Sequence, residues 1–339
     1  MLDTLKTLCE LPGVSGREEA VRDFLLSKLD GVARCRVDGL GNLIVEKQGR
    51  CRAKKKVMVS AHMDEVGFVV THVEENGLLR FSTVGGIDPR VLFGRRVLIG
   101  EQKVPGVVAG APVHLLDSEE RVKAPDLDKL FFDIGADTRE EAQRLVAIPD
   151  FAVWDTAFSP FGDGCVKAKA LDDRAGCAVL LALLKEDLPY DLTAVFTVQE
   201  EVGLRGAGTA AYGVAPDAAI VVEATTAADI AGVEPKDQVC RLKQGVAVSF
   251  MDGHTIYDKQ MYDLAFALAK AHNIPCQPKA AVTGGNDAGA IHKSRAGVPT
   301  AALSVPCRYL HAPAGVIAQS DLESTLSLLR ALAMELAKG

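Results

Sequence analysis

The 339-residue chain is poor in aromatic residues: one Trp, five Tyr and twelve Phe make up 5% of it. With Trp154 as its only indole, platforms for stacking sugar rings are thin. No 18 apolar residues run uninterrupted by charge, so no membrane-spanning helix is expected and no membrane partner. None of the eight cysteines forms a CxxC pair, which excludes a zinc ribbon or a thioredoxin-type motif. They read as buried small hydrophobes in a reducing compartment. Long basic runs are also missing. The densest, Arg50–Lys56 (RCRAKKK), reads as a loop, and 38 Lys and Arg against 45 Asp and Glu give a net charge of −7. Nucleic acid is therefore excluded as a partner. The first residues, MLDTLKTLCELPGVSGREE, carry charges throughout and lack the apolar core of a signal peptide, so a cytoplasmic location is expected.

What is present is ordinary globular composition, 48% hydrophobic and 24% charged. The length suggests two domains, large enough to bury a core without disulfides or structural metals. Any bound metal is then more naturally catalytic than a folding staple. Ser15-Gly-Arg-Glu18 has the form of a capping box opening a helix with an apolar face of Val21, Phe24, Leu25 and Leu29, stopped by Gly31. Two short strands around a turn at 39–42 follow, then the apolar run 56–61. From Gly67 to about Asp163, short β-rich runs (GFVVTHV, RVLIG, GVVAG, FFDIG) alternate with Gly and Pro turns, and only 138–146 looks helical. That is the pattern of a small barrel or sandwich.

After Asp163 strand and helix alternate. Helices are expected near 173–184, near 257–272 and from about 322, and strands at 193–199, 218–222 and 301–305. Such alternation implies an open, mainly parallel sheet covered by helices. The fold class is thus α/β. A discontinuous catalytic domain of residues 1–66 and 163–339 is expected, with a β-rich insert at 67–162.

Five acidic or histidine clusters sit at the ends of expected strands: His62-Met-Asp64-Glu65, Asp172-Asp173, Glu200-Glu201, Glu223 and His311. In open α/β sheets the ligand crevice lies beyond the carboxyl ends of strands. Carboxylates desolvated together need compensating positive charge, which a pair of divalent cations would supply. Imidazole and carboxylate ligands without thiolate suit zinc, cobalt or manganese. Taken singly, each piece has a plainer reading: a solvated histidine, an exposed acidic pair, a helix cap. Their joint occurrence is harder to assign to chance. His72, His114, His254, His272 and His292 have no comparable setting and read as structural.

The motifs HMDEVGF, LDDRAGCAVLL, QEEVGLRGA, GGNDAGAIH and PCRYLHAP closely resemble those of the dinuclear-metal aminopeptidases that assemble into tetrahedral particles. This is metallopeptidase family forty-two, which includes glutamyl and deblocking aminopeptidases. The resemblance spans nearly the whole chain. It implies His62 and Glu223 as ligands of one metal, Asp172 as a bridging carboxylate, and Glu201 and His311 as ligands of the other. It further implies Glu200 as general base, Asp64 as the carboxylate that orients His62, and a cis peptide between Asp172 and Asp173. Glu223 stands where Asp is frequent, which leaves its coordination mode open. Asn286 stands where Thr is usual and Ala312 where Ser is usual; neither removes a ligand. Asp287 reads equally as structural or substrate-contacting, and Gly203 and Gly206 equally as required turns or a simple loop.

Two physical points support the roles. Adjacent residues on an extended segment face opposite ways, so Glu201 can bind metal while Glu200 faces substrate. A ligating imidazole needs its second nitrogen anchored, which Asp64 can do. The implied activity is removal of N-terminal residues from short peptides, with a water bridging two metals as nucleophile. The implied partners are those peptides and further copies of the chain, in a dodecameric particle. The alternative is a metal-dependent deacylase or carboxypeptidase-like amidohydrolase of the same superfamily. A glycosidase using Glu200 and Glu201 is disfavoured, because adjacent carboxylates do not readily flank a glycosidic bond. A binding protein with a relic site is disfavoured because every ligand position is filled.

Overall fold

The apolar run after Lys56 becomes the centre of a sheet in the computed structural model, which describes residues 1–339. The N-terminal part forms α1 (Leu2–Glu10), α2 (Glu19–Leu29), β1 (Arg34–Val37), β2 (Leu43–Lys47) and β3 (Val57–His62). Next come β4 (Gly67–Val73), β5 (Leu79–Val84), β6 (Arg96–Ile99), β7 (Val104–Ala109), β8 (Phe131–Asp133), α3 (Arg139–Leu145) and β9 (Phe151–Trp154). Then follow β10 (Ser159–Pro160), β11 (Cys165–Ala168), α4 (Leu171–Leu184), β12 (Leu192–Thr197), α5 (Arg205–Val214) and β13 (Ala218–Thr226). The rest is β14 (Val246–Val248), α6 (Lys259–Ala271), β15 (Cys276–Pro278), α7 (Ala288–Ile291), β16 (Thr300–Arg308), β17 (Gly315–Ala318) and α8 (Gln319–Lys338).

Eleven strands make one sheet, ordered β1-β2-β12-β3-β13-β16-β17-β11-β10, with β14 and β15 attached beside β16. The four central strands β12, β3, β13 and β16 run parallel, while both flanks are antiparallel. The expected parallelism therefore holds at the centre, where strands bury both faces, and gives way at the edges. Side chains alternate between two cores. Val57, Val59 and Ala61 of β3 pack with α1, α2, α4, α6 and α8, while Met58 joins α5 and α7 on the other face. Each fully buried aliphatic side chain contributes about 1.5–3 kcal/mol, so the two layers together fix β3 in register.

Between β3 and β10 the chain closes a six-stranded barrel, β4-β5-β8-β7-β6-β9. Its centre is aromatic: Phe68 meets Trp154 edge-on at 4.8 Å and Phe81 at 5.3 Å, while Phe81 stacks on Phe132 at 4.1 Å. Trp154 is thus fully occupied in a core and offers no sugar platform. Helix α3 starts where its sequence indicates, with Thr138 accepting from Glu141 N.

One local expectation fails. The capping box at Ser15–Glu18 does not form: α2 begins at Glu19 without a side-chain cap bond. Ser15 Oγ donates instead to Asp64 Oδ2 at 2.7 Å, and Glu18 Oε1 accepts from Gly16 N and Gln199 N at 2.8 and 3.0 Å. A buried carboxylate in need of donors outweighs a local cap worth about 1 kcal/mol. The first residues, read only for a leader, form α1 and bury Leu5, Leu8 and Cys9. All eight cysteines are free, and no helix is long and apolar enough to cross a membrane.

Candidate metal centre

His62 closes β3. Its Nδ1 lies 3.1 Å from the main-chain oxygen of Asp64, so Nδ1 carries the hydrogen and Nε2 is left with a free lone pair. That Nε2 faces Asp172 Oδ1 at 3.2 Å and Glu223 Oε1 at 3.3 Å. Glu223 lies inside β13 and not beyond its end. The β13–β3 ladder pairs Val221 with Ser60, and two further residues bring Glu223 level with His62. Asp172 opens α4, and its peptide to Asp173 is cis.

On the far side of Asp172, Oδ2 lies 3.4 Å from His311 Nε2, which also meets Glu201 Oε2 at 3.2 Å. His311 follows β16 with a φ of +58°, and its Nδ1 lies 2.8 Å from the carbonyl of Gly86. The barrel reaches the site here, because Gly86 lies in the segment after β5. Both imidazoles thus turn Nε2 inward, and Asp172 stands between them.

The Asp64 carboxylate also faces the turn that carries Glu200 and Glu201. It is fully buried, 3.4 Å from His62 Nδ1, and accepts from Glu200 N at 3.0 Å, Glu201 N at 3.1 Å and Ser15 Oγ. Strand β12 ends at Thr197, and Gln199 turns left-handed at φ +55°. Glu200 and Glu201 therefore sit on a turn, and not on the extended segment expected. The Asp64 clamp separates their side chains where strand alternation does not. Gly203 follows at φ +116°. Gly206 is required for close approach: a Cβ there would lie 2.3 Å from Asn42 Oδ1 and 2.4 Å from Val198 O.

Below this layer Glu65 is held by Lys169 Nζ at 2.7 Å and Arg174 at 3.2 Å, all three buried. Arg174 Nε also donates to Met63 O at 2.8 Å. The segment 62–65 is thus tied to α4 by charge as well as by its strand.

Burial dominates the electrostatics. It pushes the carboxyls of Glu200 and Glu223 well above their ordinary value, despite the opposing influence of His62, and raises Glu201 as well. Asp172 goes the other way: burial would raise it, but hydrogen bonds from His311 and His62 hold it low. Burial would likewise lower His311, yet bonding to Asp172 and Glu201 pushes it up to about 11. Carboxylates outnumber the imidazoles among these side chains. Glu201 Oε1 and Asp173 Oδ2 are buried without any partner. Two sets of ligand atoms, His62–Asp173–Glu223 and His62–Asp172–Glu201, each lie within 4.8 Å of one another. Hard oxygen donors, inward Nε2 atoms and orphaned carboxylate oxygens fit a site for divalent cations.

All seven residues singled out from sequence, His62, Asp64, Asp172, Glu200, Glu201, Glu223 and His311, converge here. Asp173 belongs to one of the five expected clusters, with a helix cap as its plainer reading. It does accept from Gly176 N at 2.9 Å, but it also stands beside His62 and Glu223. Asp287 is buried and accepts from Thr197 Oγ1 at 2.5 Å, at the base of the turn carrying Glu200. A cleft of about 350 Å³ opens above the cluster, and His254, read as structural, lines it. Ser15, Glu18 and Asn42, which fix the Glu200 turn, carry no sequence signal of that role.

The profile described as M42 glutamyl aminopeptidase matches residues 41–328. A putative aminopeptidase of Acetivibrio thermocellus is 40% identical over 332 residues, covering 97% of each chain. The aminopeptidase APDkam598 of the archaeon Desulfurococcus kamchatkensis superposes with a TM-score of 0.94 at 33% identity, over 99% of this chain and 95% of that one. The Pyrococcus horikoshii TET1 peptidase, described as assembling into a tetrahedron or a large octahedral shell, gives a TM-score of 0.87 at 34% identity over 99% of both chains.

Proposed function

The chain belongs to the M42 glutamyl aminopeptidase family, and we propose that it is a dinuclear metalloaminopeptidase releasing N-terminal residues from short peptides. The observation that carries the reading is Asp172, set between two inward-facing imidazoles with Glu223 on one side and Glu201 on the other. His62, Asp172 and Glu223 would hold one cation, and Asp172, Glu201 and His311 the second. Zinc suits the set best, with cobalt or manganese as substitutes. Bound there, the cations would supply Lewis acidity, a more acidic water and an anchor for the free α-amine.

The chain's own residues do the rest. Glu200 takes the proton of the attacking water and passes it to the leaving amine. Asp64 fixes the Glu200 and Glu201 backbones against His62, so base and ligands keep one geometry. Gly86 O and Asp64 O hold both imidazoles in the tautomer with Nε2 free.

The same proposal treats residues 1–66 with 163–339 as the catalytic domain and 67–162 as its insert. The closed barrel within 67–154 supports an insert, while β10, at 159–160, already pairs in the main sheet, a few residues before the proposed boundary. A cytoplasmic location and assembly into a dodecamer complete it. Exposed apolar side chains on the barrel loops, Val113, Leu115 and Val122 among them, favour self-association. Hydrolysis of amino-acid p-nitroanilides, abolished by chelator and restored by zinc, cobalt or manganese, is the expected result. Release from N-acyl amino acids alone would favour a deacylase instead.

A further inference from the structure

We propose that a single water bridges Trp154 Nε1 to Glu201 Oε1 and makes this tryptophan, the only one in the chain, a positioning residue for a metal ligand. Its consequence for metal rests on the dinuclear reading above; the bridge itself does not. A cavity of about 20 Å³ lies between the barrel and the metal centre, with Trp154 and Val66 on its wall beside Glu65, Asp172, Glu201 and His311. About 10–15 Å³ of such space suffices for one water. Trp154 is 2% exposed and the Glu201 side chain 5%, and Trp154 Nε1 and Glu201 Oε1 are both buried without a protein partner. No other wall residue carries such an atom.

The two atoms have opposite needs. An indole N–H only donates, and a carboxylate oxygen only accepts. A cation in the cavity would oppose the N–H, and an anion would oppose the carboxylate. Water accepts from the one and donates to the other. The other carboxylates on the wall are already engaged, Glu65 by Lys169 and Arg174 and Asp172 by the two imidazoles. Glu201 turns Oε2 towards His311, so the bridge holds its second oxygen. His311 is itself held by the carbonyl of Gly86, in the segment after β5. Glu201 and His311, the two ligands peculiar to the second proposed cation, are then both held from the barrel side. His62 is held within the sheet domain, by Asp64 O. The barrel thereby tunes one of the two cations and leaves the other alone.

Because the chain has a single Trp, growth on benzothienylalanine in place of tryptophan alters residue 154 alone. Its sulfur replaces the N–H within the same two-ring shape, and Trp154→Phe serves beside it. A crystal structure of the zinc-treated wild type should show a water within about 3.2 Å of both atoms. Calorimetric zinc titration should find one equivalent, the one lost in Glu201→Gln, bound about ten-fold more weakly in both altered proteins, with the other unchanged. No water at the bridge, unchanged zinc binding in both proteins, equal weakening of both equivalents, or a loss confined to Trp154→Phe would overturn the proposal. If the water is present and the wild type takes up no zinc, the bridge stands and the dinuclear reading falls.

Discussion

The barrel and the carboxyl edge of the sheet are both buried, but they reach burial by opposite means. In the barrel Phe68, Phe81, Phe132 and Trp154 satisfy one another through ring contacts, and no carboxylate oxygen is left buried without a partner. At the sheet edge His62, Asp64, Asp173, Glu223 and Asp287 are packed into one region, with orphaned oxygens on Asp173, Asp287 and Glu201. The first region needs no cation. On the proposed reading bound cations complete the second, so its stability should depend on them while that of the barrel should not.

The largest effect should come from the proposed base. Glu200→Gln is expected to lower turnover by about 10²–10⁴-fold while leaving the melting temperature unchanged, measured by peptide hydrolysis and calorimetry. Next come two core changes that split the regions. Phe132→Ala should cost about 3–5 kcal/mol in denaturant unfolding without altering metal content. Lys169→Met, which strips Glu65 of a buried partner, should cost a similar amount of about 3–5 kcal/mol and reduce metal content as well. Equal metal loss in both variants would erase the distinction between the regions.

A chelator should act more mildly. Cations at a hundred times their Kd stabilise by about 2.7 kcal/mol, so removing them should lower amide protection in β3 and β13 and leave β6 and β7 unchanged. The smallest effect expected is for Ser15→Ala, about 1 kcal/mol by denaturation, because Asp64 keeps its backbone donors.

Much of this contrast was legible in the residues. Continuous apolar runs located β3, β12, β13 and β16, and short β runs between turns marked β4, β6, β7 and β8. Strands β5 and β9 were less visible because LRFSTV mixes polar residues at half-buried positions and FAVW is short. The ligand candidates could be read because imidazoles and carboxylates beside strand ends are chemically distinctive. The supporting residues could not. Ser15 and Glu18 have the local grammar of a helix cap, and only long-range folding brings them to Asp64 and Gln199. Asn42 looks like a turn residue, yet it bridges Val198 N and Gly206 O.

Metal analysis of dialysed wild type, Glu200→Gln and Glu201→Gln proteins tests the central claim most directly. The account predicts two divalent cations per chain in wild type and Glu200→Gln, and a clear loss in Glu201→Gln. Equal occupancy in all three proteins, or equal loss in the two variants, would contradict it.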